Sequence, residues 1–158
     1  MERVQTDTRE HMLLYFTSGT TGYPKMVVHN HRYALAHIQT AAHWQNVDSD
    51  GVHLTISDTG WGKAAWGKPF GQMSLGAWVF VYDFDKFIPT DMLRIMQNYK
   101  ITSFCAPPTM FRFFIKEGLE NYDLSSLKYS AIAGEALNPE VYNLSLIHIS
   151  EPTRRRGI

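Results

Sequence analysis

The string Thr17-Ser18-Gly19-Thr20-Thr21-Gly22-Tyr23-Pro24-Lys25 lies between two strand-like apolar runs, Met12 to Phe16 and Lys25 to His29, and it constrains the chain more than any other stretch. Glycine lets a loop turn its backbone N–H groups inward with no Cβ in the way, and successive inward N–H groups form an anion-binding concavity. The Thr and Ser hydroxyls add donors, and Lys25 adds a flexible point charge. A loop of this composition is suited to phosphate. The P-loop of nucleotide triphosphatases is excluded by spacing, because it needs glycine directly before the lysine, Ser or Thr directly after it, and then a helix. Here Tyr23-Pro24 intervenes, and Met26-Val27-Val28 continues as strand. An ordinary polar hairpin loop is the competing interpretation, since the same residue types dominate turns.

Beyond this loop, strand and helix signals alternate. The periodicity predicts a helix over Arg32 to Trp44 with Leu35, Ile38 and Ala42 on its apolar face, then a strand over Val52 to Ile56 and a short apolar strand over Ala77 to Tyr82. A helix follows from Pro89 to Tyr99 with Met92, Ile95 and Met96 on one face, a strand over Ile101 to Cys105, a helix over Thr109 to Glu117 and a strand over Tyr129 to Ala133. A last helix opens at Asn138-Pro139, where Asn suits the N-cap and Pro the first helical position. Strands that alternate with helices of about ten residues imply an α/β fold around a largely parallel sheet.

Thr/Ser-Ser-Gly-Thr/Ser-Thr-Gly-x-Pro-Lys resembles the phosphate-loop signature of the adenylate-forming, or AMP-binding, superfamily, which includes acyl-CoA synthetases, amino-acid adenylation domains and luciferases. Three further strings follow in the family's order. Ser57-Asp58-Thr59-Gly60-Trp61-Gly62-Lys63 resembles the segment beside the acyl pocket of acetyl- and medium-chain acyl-CoA synthetases, Ala106-Pro107-Pro108-Thr109 their Ala-Pro-Thr turn, and Ala133-Gly134-Glu135-Ala136-Leu137 their adenine-site segment. The resemblance spans residues 12 to 143 and favours the CoA-forming branch. It implies part of the large N-terminal domain of the family fold.

That resemblance implies two reactions. A carboxylate attacks the α-phosphorus of ATP to give an acyl-adenylate and pyrophosphate, and the thiol of coenzyme A then displaces AMP to give a thioester. Thr17, Ser18, Gly19, Thr20, Thr21, Gly22 and Lys25 would hold the β- and γ-phosphates, with Lys25 the catalytic cation. Gly134, Glu135 and Ala136 would line the adenylate pocket, Ala136 standing where Pro or Ser is usual. Trp61, Gly62 and Lys63 would border the acyl chain and the thiol entry. Lys63 replaces a small residue of acetate-specific relatives, which favours a medium-chain or branched acyl group. The family's Mg²⁺ has its carboxylate ligand beyond Asn143, so no residue of this chain is assigned to metal.

Leu144 to Arg154 has the form of an in-frame translation of a transposase mosaic end plus sequencing adapter. The native sequence is therefore expected to stop at Asn143, with residues 144–158 a non-native tail that stands outside the fold argument. The alternatives are a genuine basic tail and, for the whole chain, a catalytically inactive nucleotide-binding remnant or an adenylation enzyme that loads a carrier protein. A fragment of this extent, lacking the family's later segments, is expected to be inactive alone.

The chain contains 15 Lys plus Arg and 15 Asp plus Glu, and the tail removes Arg154, Arg155, Arg156 and Glu151 from that balance. Such a near-neutral charge provides no electrostatic footprint for nucleic acid or an acidic membrane surface. The partners implied are small molecules: a carboxylic acid, ATP and CoA. No apolar run reaches the roughly 18 residues needed to span a bilayer. Cys105 has no internal disulfide partner and lies in an apolar run, which fits a buried thiol in a reducing, cytoplasmic setting. His29 and His31 lack a third ligand at metal-site spacing, His37 and His43 fall on the predicted helix, and Lys86, Lys100 and Lys116 are expected at the surface.

Overall fold

The computed structural model describes residues 4–18, 22–137, 139, 142 and 143. The chain begins as a hairpin: β1 (His11–Thr17) pairs antiparallel with β2 (Lys25–Asn30), and Thr17 stands opposite Lys25 at the base of the intervening loop. Helix α1 (Arg32–His43) follows, then β3 (Val52–Thr55), a short α2 (Gly62–Gly67), a single 3-10 turn at Met73–Leu75, and β4 (Trp78–Phe80). The remaining elements are α3 (Pro89–Asn98), β5 (Ser103–Ala106), α4 (Pro108–Glu117) and β6 (Tyr129–Ile132). Strands β3 to β6 form a parallel sheet in the order β4-β3-β5-β6. The alternating α/β arrangement expected from the sequence is thus present. The final helix signal rests on Asn138, which lies outside the described residues.

Successive strand side chains point to opposite faces, and here the two faces differ in chemistry. Leu54 and Ile56 of β3 and its extension, with Phe104 and Ala106 of β5, face α3 and α4 and meet Met92, Leu93, Met96, Phe111 and Phe114 in the main core. Phe104, Phe111 and Phe114 form an aromatic triangle with ring centroids 5.6 to 6.3 Å apart. Proline at the first helical position starts both α3 and α4, where its missing N–H costs nothing. On the other face His53, Thr55, Ser103 and Cys105 are all buried beneath α2. Gly67 makes this contact possible, since a Cβ there would lie 2.7 Å from Thr55 Cγ2.

One packing expectation is corrected. Leu35 is 58% exposed and the buried residue of α1 is Ala41, because Tyr33, His37 and Ala41, four residues apart, are the positions turned inward. The short apolar strand expected over Ala77 to Tyr82 is present as β4, at the sheet's edge, with Trp78 and Val81 exposed.

Candidate functional site

In the parallel sheet β4 lies on one side of β3, while β5 and β6 lie on the other. The strand order therefore reverses between β3 and β5, and open α/β sheets bind ligands outside the carboxyl ends of strands at such a point. The segments leaving those ends are Ile56 to Lys63 after β3, Pro107 to Thr109 after β5 and Ala133 to Ala136 after β6. Strings far apart in sequence thereby share one rim of the sheet.

Side chains join them. Lys63, on the first turn of α2 and only 8% exposed, donates from Nζ to the Ala133 carbonyl at 3.0 Å. Thr109 Oγ1 donates to Glu135 Oε2 at 2.6 Å. The Ala133 N–H donates to the Ala106 carbonyl at 3.3 Å, which extends the β5–β6 ladder into the turn. Gly134 has φ +106 and no atom within 4 Å of a would-be Cβ, so the turn needs glycine's backbone and leaves open space at its tip. Glu135 and Ala136 are exposed beside it.

The hairpin approaches the same region. Tyr15, Phe16, Thr17, Ser18, Val27 and His29 line one wall of a cleft of about 560 Å³, and Gly60, Trp61 and Gly62 line the other. Trp61, 64% exposed, forms the lip, while a Cβ on Gly62 would sit 3.7 Å from the Tyr15 ring. Lys25 is exposed at the base of the loop, and Gly22, with φ +105, has open space around it. Gly19, Thr20 and Thr21 lie outside the described residues. The structure thus brings Thr17 and Ser18 to Trp61 and Gly62, and Lys63 to the Gly134–Ala136 turn.

Burial sets the electrostatics of this region. It pushes the Lys63 ammonium below its ordinary pKa, against the opposing influence of Glu135, and it pushes the Cys105 thiol up. His53 is fully buried, with Nδ1 2.7 Å from Ser103 Oγ and Nε2 2.8 Å from Thr55 Oγ1, and burial lowers its pKa to about 4. The imidazole is therefore neutral at pH 7 and exchanges one donor and one acceptor role with the two hydroxyls. Nearby, Gln72 Nε2 donates to Gln45 Oε1, both side chains being buried. This polar layer escaped the sequence reading; its only local signal was the alternation His53-Leu54-Thr55 and Ser103-Phe104-Cys105.

The histidines considered for metal have other surroundings. His29 and His37 flank the Tyr33 ring, each with centroids 4.4 Å away, in an aromatic column that continues to Trp66. Burial raises the Tyr33 phenol well above its ordinary range. Among the described residues no three His, Cys, Asp or Glu side chains come together as a metal-binding group. The described residues around the loop offer the Thr17 and Ser18 hydroxyls, open space at Gly22 and the exposed Lys25, and a divalent ion would find no carboxylate cluster among them. Lys86, Lys100 and Lys116 are exposed, as expected, and Lys100 pairs with Asp123 at 2.9 Å. No helix among the described residues is long and apolar enough to cross a membrane.

The human protein "Acyl-coenzyme A synthetase ACSM3, mitochondrial" is 38% identical over 139 residues, which cover 87% of this chain and 24% of that protein. Human ACSM4, named in the same way, is 39% identical over the same shares. The chain therefore spans about a quarter of the length of these relatives. Among solved structures, an acyl-CoA synthetase of Brucella canis superimposes with a TM-score of 0.82 at 26% identity, over 94% of this chain and 27% of the other. The family model described as AMP-binding enzyme matches residues 2–146, and with the strand-end segments and the parallel sheet arranged as above, the chain belongs to the AMP-binding enzyme family.

Proposed function

We propose that this segment forms part of the acid-activating site of an AMP-forming acyl-CoA synthetase, within a longer enzyme. The observation that carries this reading is the convergence of the phosphate-loop hairpin, Trp61–Lys63 and the Gly134–Ala136 turn on one rim of the sheet. The names of the relatives, acyl-coenzyme A synthetases, support the same chemistry.

The first step joins two anions, a carboxylate and ATP. One carboxylate oxygen forms a bond to the α-phosphorus as the bond to the bridging oxygen breaks, and pyrophosphate leaves with that electron pair. Catalysis of such a step rests on positioning and on cations and N–H donors that follow the moving charge. Thr17, Ser18, Gly19, Thr20, Thr21 and Gly22 would cradle the β- and γ-phosphates, and Lys25 would offset the charge that develops on the leaving pyrophosphate. A divalent ion, when bound to those phosphates, would supply further charge neutralisation. Gly134, Glu135 and Ala136 would line the adenylate pocket, the open tip of the turn leaving room for a flat ring. In the second step the CoA thiol loses its proton, its sulfur bonds to the acyl carbon, and AMP departs with the carbon–oxygen electron pair. Trp61 would wall the thiol entry with its large apolar face, and Gly62 and the Lys63 stem would border the acyl chain. A medium-chain or branched acid is the substrate class we favour, in a reducing compartment such as the cytoplasm. Residues 144–158 are proposed to be a translated adapter.

ATP–pyrophosphate exchange with a panel of carboxylic acids on the full-length protein tests this reading. Exchange followed by thioester formation with CoA is the expected result. Exchange without thioester would point to carrier-protein loading, and no exchange with any acid would overturn the assignment.

A further inference from the structure

A lysine ammonium in a protein interior is costly unless it is paired, and most lysines escape by extending to water. Lys63 does not escape. It is 8% exposed, and its Nζ is held 3.0 Å from the carbonyl oxygen of Ala133, seventy positions away in the chain. The turn that begins at Ala133 is gripped from the opposite side by Thr109, whose hydroxyl donates to Glu135 at 2.6 Å. Behind Lys63 the buried layer continues through Cys105 and Thr55 to His53 and Ser103, so the lysine is backed by polar side chains on β3 and β5. Glu135 favours the charged ammonium that burial disfavours.

We propose that Lys63 is a positioning residue that ties the start of α2 to the turn after β6, so that the Trp61 lip and the Gly134–Ala136 turn hold one fixed relation. This deepens the proposed function and rests on it for its catalytic meaning, but the tether itself concerns only this chain. Two neighbours of Lys63 make the coupling direct: Trp61 is two residues earlier on the same helix start, and Gly134 follows the carbonyl that Lys63 holds. Through this bond, the wall of the acyl side and the wall of the adenylate side form one unit. Thr109 and the Ala133 N–H to Ala106 bond fix the turn to α4 and β5, and the Lys63 bond ties it to α2.

The test compares amide hydrogen exchange of the full-length protein with its Lys63→Met and Lys63→Arg variants, without ligand. Lys63→Met keeps length and apolar stem and removes the charge. Exchange over residues 133–137 is expected to quicken by at least about tenfold in Lys63→Met, the size of a lost hydrogen bond to a charged group, while β3 and β5 stay unchanged. Lys63→Arg should restore part of the protection. Unchanged exchange over 133–137, or equal loosening of β3 and β5, would overturn the tether. Should Lys63→Met fail to fold, the unsubstituted protein still decides: a slowly exchanging ammonium signal from Lys63 supports the bond, and its absence refutes it. With acid and ATP added, the variant should raise the KM for both while leaving the rate at saturation less affected. If the unsubstituted protein shows no pyrophosphate exchange, the proposed function fails while the amide data still report on the tether.

Discussion

His53 provides a quantitative acid test of the buried polar layer. Its imidazole is enclosed by Ser103, Thr55 and the backbone of Gly67, and burial holds its pKa at about 4, against 6.5 for an exposed histidine. The unfolded chain therefore binds this proton more readily than the folded one. Stability is full above pH 6.5, declines as the pH falls from 6.5 towards 4, and loses nothing more from this group below that. The gap between 6.5 and about 4, at about 1.4 kcal/mol per pH unit, amounts to about 3 kcal/mol, of which about 2 kcal/mol is lost by pH 5. Urea unfolding at a series of pH values from 7.5 to 4.5, on the unsubstituted protein and on His53→Gln, isolates the contribution. At pH 7.5 the variant should be less stable by about 1–3 kcal/mol, because glutamine does not satisfy both hydroxyls. The difference should shrink or invert near pH 4.5, since glutamine has no proton to take up. Parallel curves over the whole range would refute the assignment of a neutral, buried His53.

Other perturbations address the core, the polar face and the loop. Phe104→Ala opens a cavity in the aromatic triangle and should cost about 3–5 kcal/mol, read by denaturant unfolding. Gly67→Ala drives a methyl group to within 2.9 Å of Thr55 Oγ1 and should cost about 1–3 kcal/mol, with loss of the His53–Thr55 bond visible in the imidazole NMR signals. Lys25→Ala should weaken ATP binding by roughly tenfold to a hundredfold in the full-length protein, as for a lost charge-assisted contact, while its melting temperature holds. An unchanged ATP affinity would remove Lys25 from the phosphate site.

Features dictated by neighbouring residues were legible in the sequence. The β1–β2 hairpin follows from two apolar runs and a Gly-, Thr- and Pro-rich connection, and α3 and α4 from proline starts and periodic Met, Leu and Phe. Helix α2 was not legible, because a six-residue segment with glycine at both ends has little propensity of its own and is held by packing on Thr55. Leu35 was misplaced because the apolar pattern of α1 competes with an aromatic column that turns Tyr33 and His37 inward. The bonds that assemble the site were also hidden, since His53 and Ser103 are fifty positions apart, Thr109 and Glu135 twenty-six, and Lys63 and Ala133 seventy. Such contacts are set by strand order, which local patterns do not encode.

The most direct test of the site is hydrogen-exchange mapping of the full-length protein with a non-reactive acyl-adenylate analogue, an acyl-sulfamoyl adenosine. Protection is expected together at residues 17–25, 57–63 and 133–137, with the cleft lined by Asp85, Lys86, Phe87, Ile88 and Asp91 unaffected. Protection confined to that cleft, or none in the three segments at saturating analogue, would contradict the placement of acid activation at this rim of the sheet.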